Sequence, residues 1–163
     1  MPENFNPRQM LQTAFEAEEA ARKLYSLLIE SSQGQELKKI WQQLDEQSSV
    51  HNKVFRQMHQ DATSYVVYEI ASGEYNPYLR SIVPEYIAVC KNINDRVAKP
   101  FSSELEAVEF AVYLEIEAII TYSALKEYIV PDKLDMLNKI IGDKKKILAK
   151  LSVCKRKLQK TQG

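Results

Sequence analysis

The chain has 163 residues, 45% of them hydrophobic, with 22 Lys+Arg against 22 Asp+Glu, which describes a single domain with one core and no net-charge bias toward a polyanion. Four glycines exclude a Gly-rich phosphate loop, two histidines (His51 and His59) restrict His-based catalysis and metal binding, and two cysteines (Cys90 and Cys154) cannot form a four-cysteine metal knuckle or a CxxC pair. No apolar run approaches the roughly 18 residues of a membrane span, and Met1 to Gln12 lacks the apolar core of a signal peptide, so the expectation is a cytoplasmic protein, with no membrane partner and with reduced, buried thiols.

Prolines stand at 2, 7, 77, 84, 100 and 131, leaving two long stretches free of the residue that most reliably breaks a helix. Asn6-Pro7 offers an N-cap followed by proline at the first helical position, and Leu11, Ala14, Ala21, Leu24, Tyr25 and Leu28 repeat at helical spacing, predicting a first helix from Pro7 to Glu30. Ser31 to Gly34 is a short loop. Leu37, Ile40, Trp41, Leu44, His51, Phe55 and Met58 then mark one face of a second helix, antiparallel to the first. From Asp61 to Ser102 the pattern weakens, and half of the prolines fall here. This reads as a long crossover with helical turns of its own, covering the bundle with Tyr65, Val67, Ile70, Ile82 and Tyr86. Ser103 and Glu106 form a capping box that opens a third helix through Val108, Ala111, Ala118, Tyr122 and Leu125, and Pro131-Asp132 opens a fourth through Leu134, Leu137, Ile140, Ile141, Ile147, Leu151 and Cys154. Residues 7–60 and 103–158 are thus two helical hairpins joined by the crossover 61–102. The predicted fold is an all-α, antiparallel four-helix bundle forming one domain.

The two hairpins repeat. Ala14, Glu18, Ala21, Tyr25 and Leu28 match Ala111, Glu115, Ala118, Tyr122 and Leu125 at a constant separation of 97 residues. Leu44, Ser48, His51 and Phe55 likewise match Ile140, Lys144, Ile147 and Leu151 at 96. Polar residues recur within the apolar stripes, so Glu18, Ser48, His51, Glu115 and Lys144 are predicted to point inward. Two buried carboxylates facing each other need a cation, a proton or a metal between them.

At these residues the chain resembles the rubrerythrin branch of the ferritin-like diiron-carboxylate proteins, without the rubredoxin-type cysteine module that often accompanies them. Such bundles take one Glu from each of two helices and a Glu-x-x-His pair from each of the other two. The resemblance implies ligand positions Glu18, Ser48, His51, Glu115, Lys144 and Ile147, of which Glu18, His51 and Glu115 can bind iron as they stand. Ser48, Lys144 and Ile147 replace ligands. Tyr25 and Tyr122 stand beside the site as core aromatics with satisfied hydroxyls. Asp143 is a reserve oxygen donor; a register using Asp143 and Lys146 as the pair misses the apolar stripe, because Lys139 then takes the place of Leu44. Glu69, Glu74 and Glu85 of the crossover are further candidate carboxylates.

A lysine ammonium at an iron position repels a cation and supplies the charge that Glu18 and Glu115 need, although such a lysine can instead snorkel to the surface. The reading that follows is a bundle that has lost its two-iron centre, binds no cofactor and serves as a structural, binding or regulatory protein, with self-association or a protein partner open to it. The alternative is an oxidoreductase with one or two iron ions held by Glu18, His51, Glu115 and Asp143, reacting with peroxide or oxygen as the resemblance implies. A third is a basic interaction module, since Lys144 to Lys160 holds eight basic residues and no acidic one; the absence of interleaved aromatics argues against nucleic acid.

Overall fold

In a computed structural model the described residues are 7–65, 77–99 and 101–162. They form five helices: α1 (Pro7–Ser31), α2 (Gln35–Gln60), α3 (Pro77–Ala98), α4 (Glu104–Leu125) and α5 (Pro131–Gln162). The predicted first helix runs one residue further than expected, to Ser31, where Ser32 N–H still donates to the Leu28 carbonyl at 3.0 Å. At the other end of α2, Asp61 accepts from Thr63 N–H at 3.0 Å and so turns the chain out of the helix. Ser103 caps α4 by accepting from Glu106 N–H at 3.1 Å. The Glu106 carboxylate does not complete the expected box on Ser103. It takes the Ser102 N–H at 3.2 Å and pairs with Arg96 of α3 at 2.8 Å, so the cap also ties two helices together.

The crossover holds more regular structure than helical turns. α3 spans 22 residues with Pro84 inside it, at an exposed position where the ring has room and water can take the carbonyl that loses its N–H partner. Its buried stripe, Val83, Tyr86, Val89 and Ile93, packs against α1 and α4. Tyr65 and Ile82 are half-buried against the same core, whereas Val67 and Ile70 lie outside the described residues. An isolated antiparallel bridge joins Tyr65 to Ile129, and Val130 N–H donates to the Ser64 carbonyl at 3.0 Å. The chain leaving α2 is therefore pinned to the α4–α5 connection.

The most extensive helical pairs are α1 with α2 and α4 with α5; α3 packs on α1 and α4, and α2 meets α5. Every pair in the sequence repeat is buried in both copies: Ala14 and Ala111, Glu18 and Glu115, Ala21 and Ala118, Tyr25 and Tyr122, Leu28 and Leu125. The same holds for Leu44 and Ile140, Ser48 and Lys144, His51 and Ile147, Phe55 and Leu151. The all-α, ferritin-like bundle with a crossover is thus the architecture of this chain, and its polar positions meet in the centre.

Candidate functional site

Four helices each bring one charged or titratable side chain to the middle of the bundle: Glu18 from α1, His51 from α2, Glu115 from α4 and Lys144 from α5, all at most 5% exposed. The helical register explains the convergence. Alanines stand one turn to either side of each glutamate, and these small residues leave room for the carboxylates to meet. Lys144 does not snorkel outward. Its ammonium lies 3.0 Å from Glu18 Oε1 and 3.5 Å from Glu115 Oε2, and 5.7 Å from the centre of the Tyr122 ring.

Three tyrosines complete the network. Tyr122 donates to Glu18 Oε1 at 2.7 Å, Tyr25 donates to Glu115 Oε1 at 3.4 Å, and Tyr86 of α3 meets the Tyr122 hydroxyl at 2.8 Å. Burial, reinforced by the neighbouring carboxylates, raises all three phenols well above their ordinary pKa, so they act as donors. Tyr86 carries a role that its reading as apolar cover missed; a tyrosine on a fully buried stripe requires a partner for its hydroxyl, and that requirement was the available signal. Phe55 packs on Tyr122 at 4.8 Å between ring centres, and Ile147, at a position for which the resemblance implies a ligand, is wholly buried. Ser48 is buried as well.

The two carboxylates differ. Burial works to raise the pKa of Glu18, but the Lys144 ammonium outweighs it with help from His51 and the Tyr122 hydroxyl, holding this carboxyl below its ordinary value. For Glu115 burial wins: Lys144 opposes it, but the like charge of Glu18 adds to it, and the pKa is raised. Burial also disfavours the ammonium of Lys144, yet Glu115 and Glu18 together lift its pKa above that of a free lysine. Glu18 is therefore the ionised partner of Lys144, and Glu115 is the group that most readily takes a proton. With His51 neutral, Lys144 balances Glu18, and a proton on Glu115 would leave the site uncharged without any added ion.

His51 sits at the edge of this cluster. Its Nε2 lies 3.4 Å from Asp143 Oδ2, while Nδ1 is buried without a hydrogen-bond partner, 3.9 Å from Glu18 Oε1. Burial depresses its pKa; Glu18 opposes that shift and Lys144 adds to it. Asp143, whose side chain is 25% exposed, faces His51 and Lys139, and it meets the solvent rather than Glu115. Glu85 is exposed on α3, and Glu69 and Glu74 lie outside the described residues. His59 is half-buried, edge-on to Phe15 at 5.3 Å between ring centres, and takes no part.

These residues do not fit a two-iron centre. Of the six ligand positions that the resemblance implies, three hold Ser48, Lys144 and Ile147, and the Lys144 ammonium lies within reach of both glutamates, where a second positive ion would be repelled. Among the described residues no three His, Cys, Asp or Glu side chains are placed to hold a metal ion together. A cavity of about 20 Å³ lies against Glu18, Glu115, Lys144, Tyr25 and Tyr86, which suits a molecule the size of water.

A crossed-over helical bundle with paired glutamates facing across its core is a ferritin-like protein. The rubrerythrin family model matches residues 9–146, and the chain belongs to the rubrerythrin family. In three dimensions it is similar to a Thermotoga maritima protein described as ferritin-like and diiron-carboxylate, with 24% sequence identity over 93% of this chain and 95% of that one and a TM-score of 0.67. At that identity the likeness speaks for the fold. No curated protein sequence matches this chain. Within its family, then, this chain carries a buried Lys144, Glu18, Glu115 and His51 network, with Asp143 at its solvent edge, in place of a diiron site.

Proposed function

We propose that this chain is a non-catalytic rubrerythrin-family protein, in which an internal ammonium has replaced iron and the bundle serves as a structural, binding or regulatory unit of the cytoplasm. The observation that carries the reading is the position of Lys144 Nζ, 3.0 and 3.5 Å from the two carboxylates that would otherwise bridge metal. Two divalent ions beside that ammonium would leave positive charge uncompensated in a buried site. The cytoplasmic placement is supported by Cys90 and Cys154, which are free thiols.

Elemental analysis of protein purified without chelator tests the reading. Well under one iron per chain is expected, and substituting Lys144→Glu should raise metal uptake by restoring an oxygen ligand. Two irons per chain in the unmodified protein would overturn it.

One observation favours a second reading, an iron-dependent oxidoreductase with a reduced metal site. The buried Nδ1 of His51 has no hydrogen-bond partner and faces Glu18, so Glu18, His51 and Glu115, with Asp143 behind them, are the donors that a single ion would use once Lys144 had moved aside. One tightly held metal per chain, lost on His51→Ala, would establish that alternative. A basic module on α5 is weaker: Lys150 is engaged by Gln43 at 3.0 Å and Lys157 by Glu36 at 3.1 Å. Retention on a polyanion column that persists above physiological salt would revive it.

A further inference from the structure

The end of the bundle where α1 and α3 finish and α2 and α4 begin contains a cavity of about 700 Å³. This volume lies within the range of sites for small organic ligands. Its floor is apolar, made by Leu24 and Leu28 of α1, Leu37 and Trp41 of α2 and Ala107 of α4, all of them buried. Leu27, 41% exposed, extends the apolar surface to the opening.

The charges lining the cavity are Glu30, Arg96 and Glu104. Arg96 is already engaged: it pairs with Glu106 at 2.8 Å and its guanidinium lies 5.0 Å from the centre of the Phe101 ring. Glu104 accepts from the Ser32 hydroxyl at 3.4 Å, and among the described residues neither Glu104 nor Glu30 is in an ion pair. Of the charged side chains in the lining, the two without an ion pair among the described residues are therefore both negative.

We propose that this cavity binds a small amphiphilic amine, its alkyl or aromatic body against the Leu24, Leu28 and Trp41 floor and its ammonium at the mouth facing Glu30 and Glu104. A carboxylate of the same shape would meet two like charges and a guanidinium that is already neutralised. A neutral analogue keeps the apolar contact and loses the charge attraction. No residue of the Lys144 network lines the cavity, so the proposal stands or falls independently of what that network does.

Trp41 is the sole tryptophan, and its place in the floor makes its emission a direct reporter. The full chain is titrated with octylamine, octanol and octanoate below their aggregation limits, following Trp41 fluorescence and heat. Octylamine should bind saturably, octanol more weakly and octanoate most weakly, with roughly tenfold or more between amine and carboxylate. Replacing Glu30→Gln and Glu104→Gln together should lower octylamine affinity about fivefold and leave octanol unchanged. The proposal is overturned by no saturable response to octylamine, by octanoate binding as well as the amine, or by unchanged octylamine affinity in the double variant.

Discussion

Lys144 is the residue on which the centre of the bundle turns. Removing its charge while keeping its bulk, as in Lys144→Met, leaves Glu18 buried without its counter-charge, so that it either stays ionised unpaired or takes up a proton, and a loss of about 3 to 5 kcal/mol is expected in urea unfolding. The asymmetry between the carboxylates predicts a difference between their neutral variants. Glu18→Gln removes the nearer partner of Lys144, the carboxylate held ionised, and should cost several kcal/mol, on the order of breaking a buried pair, whereas Glu115→Gln should stay within about 1 kcal/mol of the wild type because Glu115 is the group burial already disfavours as an anion. Equal costs for the two would refute the assignment of Glu18 as the ionised partner. His51 supplies a pH dependence. Its folded pKa lies below the ordinary 6.5, so it contributes stability that is present above that pH and is lost as the pH falls through its lower folded value. The stability gap between wild type and His51→Gln, measured by urea midpoints from pH 8 to pH 5, should therefore narrow toward acid.

At the scale of elements, α4 starts where Ser103 caps it and is held to α3 through Glu106 and Arg96. Ser103→Ala should cost about 1 kcal/mol, readable as a lower denaturation midpoint with an unchanged m-value. α3 is attached along one stripe, Val83, Tyr86, Val89 and Ile93, whose members are all buried. Amide hydrogen exchange of residues 83–97 should accordingly be slow, on the scale of the bundle helices; exchange as fast as an unstructured peptide would contradict the packing described. The helix itself was only partly legible beforehand. Pro77, Pro84 and Gly73 break the pattern, and Pro84 reads as a stop signal unless it is known that its position faces solvent, where the lost hydrogen bond is replaced by water.

For the molecule as a whole, one apolar cluster includes residues of all five helices. Helical ellipticity and Trp41 fluorescence should therefore report a single coincident unfolding transition, and two separated transitions would show hairpins that fold independently. Much of this architecture could be read along the chain, because a repeated Ala-x-x-x-Glu-x-x-Ala-x-x-x-Tyr string has the period of a helix face, and periodicity is a local property that needs no partner to be seen. The same string placed Glu18 and Glu115 inside, and the matching stripes of the other two helices placed Ser48, His51 and Lys144 there. What these groups do to one another was decided only in three dimensions. A lysine on an inner stripe has a stem long enough to reach either the core or the solvent, and the sequence holds both outcomes open until the neighbours are known. Its 3.0 Å contact with Glu18, the Tyr86 hydroxyl reaching Tyr122 across helices far apart in the chain, and Asp143 turning to His51 instead of Glu115 are distances between elements. They depend on how helices are set beside one another, since electrostatic and hydrogen-bond energies fall off within a few ångströms that no spacing along a single helix specifies.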